Sequence, residues 1–232
     1  EVVHGKGTIL NKMWGSYEDK FAQVRNLYAY QFAHPGKKLN FMGNELGSFD
    51  EWNENKSIPW ELKKFPKHDS VSRLFRDLNL IYQNHKAMYF EEYNQAHFQW
   101  IMADNAEQSV LVFKREVPGE TMIFVFNMTP RFYSEYDIGV PYEGEYEEIL
   151  NTDKDVYGGW NQYNGANLFT HGSGLQNQPY RITIKLASFA GIFLRYIPKI
   201  KEEEKPVIEQ KAEPIKQASA KKTTTRKRAS KK

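Results

Sequence analysis

Arg181-Ile182-Thr183-Ile184-Lys185-Leu186 alternates polar and apolar residues without a break. In an extended chain, successive side chains point to opposite faces. Ile182, Ile184 and Leu186 therefore line one side of a strand, and Arg181, Thr183 and Lys185 the other. Working outward, similar short runs cover His97–Met102, Ser109–Lys114, Met122–Asn127, Tyr133–Val140, Tyr146–Leu150 and Gly191–Ile197. Turn-forming residues separate them, including Pro118-Gly119 and Gly158-Gly159. Such a succession of short runs across 97–198 predicts an antiparallel β-sandwich.

Upstream, the pattern changes period. Ser16, with Asp19 three residues on, has the form of a capping box. Phe21, Val24, Tyr28 and Phe32 then recur at helical spacing, and Pro35-Gly36 stops the helix. Lys38-Leu39-Asn40-Phe41-Met42 reads as a short strand, apolar enough to be buried on both faces. A second helix is expected from Asp69 or Ser70, with the stripe Val71, Leu74, Phe75, Leu78, Ile81 and Tyr82. Between Gly43 and His68 lies a long irregular segment that holds Trp52 and Trp60. Loops of this length are usually functional or disordered, and the tryptophans weaken the second reading. Helix, strand, long loop and helix in this order fit the end of a (β/α) barrel, where loops after the strand C-termini carry the active site.

Composition narrows the function classes. The 232 residues are 40% hydrophobic and 15% aromatic, and contain no cysteine. Disulfides and thiolate metal sites are excluded, and a reducing compartment fits. The six histidines show no metal-ligand spacing. No apolar run approaches a membrane span and no signal peptide opens the chain, which fits a cytoplasmic protein. The first methionine is Met13, and the N-terminus reads as a cut. The net charge of +3 conceals an asymmetry: residues 199–232 hold twelve Lys and Arg against five Glu. That segment has no aromatic residue and is expected to be a disordered basic tail. Its charge would attract a polyanion, but without interleaved aromatics or a folded reader, no specific nucleic acid is expected.

Several strings resemble the 1,4-α-glucan (glycogen) branching enzymes of the α-amylase superfamily. They are Glu1-Val2-Val3-His4-Gly5-Lys6, Lys12-Met13-Trp14-Gly15, Leu27-Tyr28-Ala29-Tyr30 and Pro35 through Glu45. Glu51-Trp52-Asn53, Ser57-Ile58-Pro59-Trp60, Arg76-Asp77-Leu78-Asn79 and His85-Lys86-Ala87-Met88 follow in order. Phe126-Asn127-Met128-Thr129-Pro130 and Glu148-Ile149-Leu150-Asn151-Thr152-Asp153 continue the likeness into the strand-rich part. The resemblance implies three regions. Residues 1–95 would be the end of a catalytic (β/α)8 barrel, with 35–45 as its last strand and exit, and 96–198 an α-amylase-type C-terminal all-β domain. Residues 199–232 would be the tail, onto which nothing is carried.

The resemblance also implies chemistry. Retaining glucan enzymes use one carboxylate as nucleophile and another as acid and base. A branching enzyme passes the cleaved α-1,4 chain to a 6-hydroxyl of another chain, with no metal or redox cofactor. In the family both carboxylates, and a further Asp of a His-Asp pair, lie upstream of the position matched by Glu1. This chain is therefore expected to carry no catalytic residue and to need the missing N-terminal part of the same enzyme as its partner. The hydrophobic faces of residues 17–90 are expected to lack partners without it.

The candidate contacts to an α-1,4-glucan are Glu1, Asn44, Glu45, Trp52 and Trp60. Each has a plainer reading. Asn44 and Glu45 sit at the strand exit, where a carboxylate can accept bonds from sugar hydroxyls, or they anchor a loop or cap a helix. Trp52 and Trp60 can stack on sugar, or pack the loop. His4 and Lys6 can reach substrate, or stay in a solvated loop. Trp160, in the polar and aromatic run Trp160-Asn161-Gln162-Tyr163-Asn164, can be an accessory glucan contact or part of a packed loop. Two other functions compete: a different α-amylase-superfamily hydrolase or transglycosylase, and a non-catalytic glucan-binding β-sandwich.

Overall fold

A computed structural model describes residues 5–165 and 167–198. Glu1, His4 and the basic tail lie outside the described residues.

The first helix, α1 (Tyr17–Ala33), begins where the capping box places it. The Ser16 hydroxyl accepts from the Asp19 backbone N–H at 3.1 Å, and the Asp19 carboxylate accepts from the Ser16 N–H at 3.0 Å. The predicted stripe of Phe21, Val24, Tyr28 and Phe32 is buried. The second helix, α2 (Pro66–Asn84), starts three residues before Asp69, because Pro66 occupies the first helical position. Proline is suited to that position: its φ is already helical and the missing N–H would be unpaired there. A short helix, α3 (Lys86–Tyr89), follows.

The rest is β structure: β1 (Phe98–Met102), β2 (Val110–Val117), β3 (Glu120–Asn127), β4 (Tyr133–Val140), β5 (Glu145–Asn151), β6 (Leu168–Phe169), β7 (Tyr180–Leu186) and β8 (Gly191–Ile197). All ladders are antiparallel. Six strands form one sheet in the order β1-β2-β3-β8-β5-β6, and β4 and β7 form a second. The seven expected runs are all strands. The two-residue strand β6 is the addition, too short to leave a periodic signal.

The large sheet is buried on both faces. Ile123, Val125, Ile192 and Leu194 meet Ile138, Ile182, Ile184 and Leu186 of the small sheet in one core. On the other face, Phe113, Phe124, Phe126 and Phe193 pack with Phe21, Val24, Phe32, Leu74 and Phe75 of the two helices. This explains why β3 reads Met122-Ile123-Phe124-Val125-Phe126 as an unbroken apolar run, whereas β7, with one face in the core, alternates. The expectation that the helices would lack partners is thereby corrected: their apolar faces are covered by the chain's own large sheet.

A second correction concerns Lys38–Met42. These residues form no strand, Met42 already lies in a turn, and Leu39 is 80% exposed and Met42 51%. A strand is completed by hydrogen bonds to a neighbour, and among the described residues no strand pairs with this segment.

Candidate functional site

The long segment 43–65 wraps a cleft of about 400 Å³ between itself, the 8–10 turn and the flank of α1. The cleft wall begins with a compact turn. Gly43 and Gly47, both left-handed (φ 82° and 59°), bracket a single 3-10 turn at Asn44–Leu46. Glycine is the residue that adopts these angles without a steric penalty. The turn is fixed from below: the buried His68 ring donates from Nδ1 to the Leu46 carbonyl at 2.7 Å, and Leu46 is fully buried. A carbonyl can only accept, so Nδ1 carries the proton. Phe21 stacks edge-on against His68 at 5.0 Å. Asn44 is therefore held on a rigid platform at the cleft wall.

Trp52 lines the same cleft, with its ring edge-to-face to Phe41 at 5.5 Å. Beside it, the Glu51 carboxylate accepts the backbone N–H of Gly5 at 2.9 Å and of Gly7 at 2.5 Å, which ties the start of the described chain to the cleft rim. Asp50, Lys56 and Glu61 add charge, and Tyr28 closes the floor. Burial, reinforced by the nearby Glu45 carboxylate, holds the Tyr28 phenol above its ordinary pKa, so it is a neutral hydroxyl. Polar acceptors, one indole and a neutral floor can bind a polyhydroxylated ligand by hydrogen bonds and stacking.

The other candidates lie apart. Glu45 shares the turn with Asn44 but faces away from this cleft: it accepts from Asn40 Nδ2 at 2.8 Å and lines a separate hollow with Gln31, Lys38 and Asn79. Trp60 opens the 3-10 turn Trp60–Lys64, is 56% exposed, and does not line the cleft. Glu1 is outside the described residues. The geometry also brings in Glu51, quoted above only within a longer string, and Tyr28, read above as part of a helical stripe. A carboxylate that caps two backbone amides from a distant segment has no local sequence signature.

Among the described residues no helix is long and apolar enough to cross a membrane.

Comparison with known proteins agrees with this architecture. Residues 100–197 match the family model of the alpha amylase C-terminal all-beta domain. The chain is 46% identical over 215 residues to a 1,4-alpha-glucan branching enzyme of Clostridium perfringens, covering 91% of this chain and 32% of that protein. It is 41% identical over 201 residues to the branching enzyme of Bacillus subtilis, covering 86% and 32%. Among solved structures, AmyP in complex with maltotriose superposes with a TM-score of 0.56 at 13% identity, over 78% of this chain and 36% of AmyP. A debranching enzyme of Nostoc punctiforme gives 0.53 at 15% identity, over 78% and 34%. At such identities these two likenesses show the fold alone. The chain spans about a third of the length of the curated relatives it matches. Its sequence is thus similar to 1,4-alpha-glucan branching enzymes over 91% of its own length, and its residues 100–197 match the C-terminal all-beta domain of the alpha amylases.

Proposed function

We propose that this chain is the part of a 1,4-α-glucan branching enzyme that completes the catalytic barrel and supports it with the β domain. Residues 1–95 would belong to the barrel and 96–198 to the all-β domain. The whole enzyme would cleave α-1,4 links and rebuild the chains as α-1,6 branches on glycogen, in the cytoplasm. The identity to branching enzymes across both regions carries this reading. The exposure of Leu39, Phe41 and Met42, all within the unpaired Lys38–Met42 segment, supports it further. Such a row of apolar side chains is what a missing neighbouring strand would cover. Asn44 and Trp52 would contact the glucan in the cleft, with Glu1, Glu45 and Trp60 contributing where the remainder of the barrel adjoins.

Retaining transglycosylation needs two carboxylates about 5 Å apart on either side of the bond. By the resemblance, both belong to the part of the enzyme that this chain does not span, so the chain by itself should be inactive. The test is a branching assay on linear amylose. The chain is measured alone, then in a chimera with the complementary two thirds of the Clostridium perfringens relative. New α-1,6 linkages from the chimera and none from the chain are expected. Linkages made by the chain alone would relocate the chemistry. Hydrolysis without branching in the chimera would point to an amylase-type activity.

A further inference from the structure

The loop after β5 holds a tryptophan out to solvent, and the structure commits buried charge to keeping it there. Asn151-Thr152-Asp153 is buried beneath the loop. The Asp153 carboxylate accepts the backbone N–H of Trp160 at 3.2 Å and of Gln162 at 3.0 Å, while the Asp153 carbonyl accepts the N–H of Asn161 at 2.8 Å. The close fit leaves no room for a side chain at Gly159, where an added Cβ would lie 2.1 Å from the Asp153 carbonyl oxygen. Two further ties bind the loop to α2. Lys67 Nζ donates to the Gly158 carbonyl at 2.6 Å, and the Tyr157 hydroxyl to Asp77 at 2.8 Å.

The backbone is thus packed, but the indole is not. Trp160 is 55% exposed, and the neighbouring Asn161 and Gln162 are exposed as well. The Lys67 ammonium lies 6.0 Å from the centre of the indole ring. Exposing a large apolar ring gives up burial free energy, and fixing its backbone removes the freedom that would let it fold inward. A preorganised aromatic surface beside two amides suits a ligand whose faces carry C–H groups and whose rim carries hydroxyls. An isolated indole among polar groups is not the contiguous apolar patch that marks a protein partner.

We propose that Trp160 is the platform of a second α-1,4-glucan-binding site, with Asn161 and Gln162 bonding the sugar hydroxyls. The loop shares no residue with the lining of the cleft at Asn44 and Trp52. The choice of ligand rests on the function proposed above. A second contact would hold a long glucan chain at two points and raise its effective concentration at the cleft.

The experiment titrates maltoheptaose into the 232-residue chain by calorimetry, with Trp160→Ala, Trp160→Phe and Trp52→Ala beside the wild type. Saturable binding is expected. Trp160→Ala should weaken it about tenfold, whereas Trp160→Phe, which keeps a ring, should stay within about threefold. Thermal melts of each variant check that the fold is intact. Wild-type affinity in a folded Trp160→Ala variant would overturn the site, and so would the absence of saturable binding by the wild type. The branching assay on the chimera is read separately. Trp160-dependent binding without new branches would sink the branching function and leave the platform standing.

Discussion

Lys38 is a residue whose environment works against its charge. Its ammonium donates to the His34 carbonyl at the end of α1 at 2.5 Å and lies 5.5 Å from the centre of the Tyr82 ring. Burial, with the Arg115 charge adding to it, lowers its pKa from an ordinary 10.5 to about 8. Between those two values the unfolded chain holds a proton that the folded chain has released, so stability rises with pH across that window; below it, burying the charge costs stability. Half-burial screens the effect to about 1–2 kcal/mol. Lys38→Met carries no such penalty but loses the bond to His34, so the diagnostic quantity is the pH dependence of the difference. Urea denaturation at pH values on either side of the window should show the stability of Lys38→Met, relative to wild type, falling by about 1–2 kcal/mol as pH rises. A difference independent of pH would mean that Lys38 is solvated.

At the scale of elements, α1 and the Lys38–Met42 segment show what local sequence can and cannot carry. The start of α1 rests on Ser16 and Asp19, three residues apart, and both reciprocal bonds form. Ser16→Ala should therefore cost about 1 kcal/mol, read as a lower urea midpoint with unchanged slope. A loss near zero would show that tertiary packing alone holds the helix end. The signal was legible because donor, acceptor and spacing all lie within four residues. Lys38–Met42 has a strand-like composition of the same clarity, yet strand formation depends on a neighbour elsewhere in the chain. Sequence states the tendency of such a segment and not whether its partner is present. The cleft divides in the same way. Asn44 and Trp52 were recognisable as residue types, but their convergence, and the separation of Glu45 and Trp60 from them, depends on how 43–65 folds back over α1. No spacing rule encodes that path. At the Trp160 loop the sequence left packing and exposure both open, because the backbone is packed by Asp153 while the ring is not.

For the whole molecule, the large sheet is the shared wall of two cores. Phe113, Phe124, Phe126 and Phe193 reach the helices, while Val112, Val125, Ile192 and Leu194 reach the small sheet. Buried polar groups also cross the first boundary. Arg25 on α1 donates from Nε to the Thr152 carbonyl at 2.9 Å, and Asn26 donates to the Asn127 carbonyl at 2.8 Å. Burial lowers the Arg25 pKa to about 10 and raises that of Asp153, so desolvation outweighs the attraction between them. Such groups tolerate burial only while their partners are in place. The family match at 100–197 outlines a β domain in sequence, but these contacts make the helical layer half of its packing. Residues 97–198 expressed without the helices should expose the four phenylalanines together with the unpaired carbonyls of Thr152 and Asn127. The expected result is strong binding of a hydrophobic dye, association in sedimentation experiments, and no sharp thermal transition, where the full chain melts cooperatively. A monomeric, cooperatively folding 97–198 would mean that the helices merely rest on the sheet. It would also revive the reading of this region as an independent glucan-binding module, since only then could its affinity be measured without the rest of the chain.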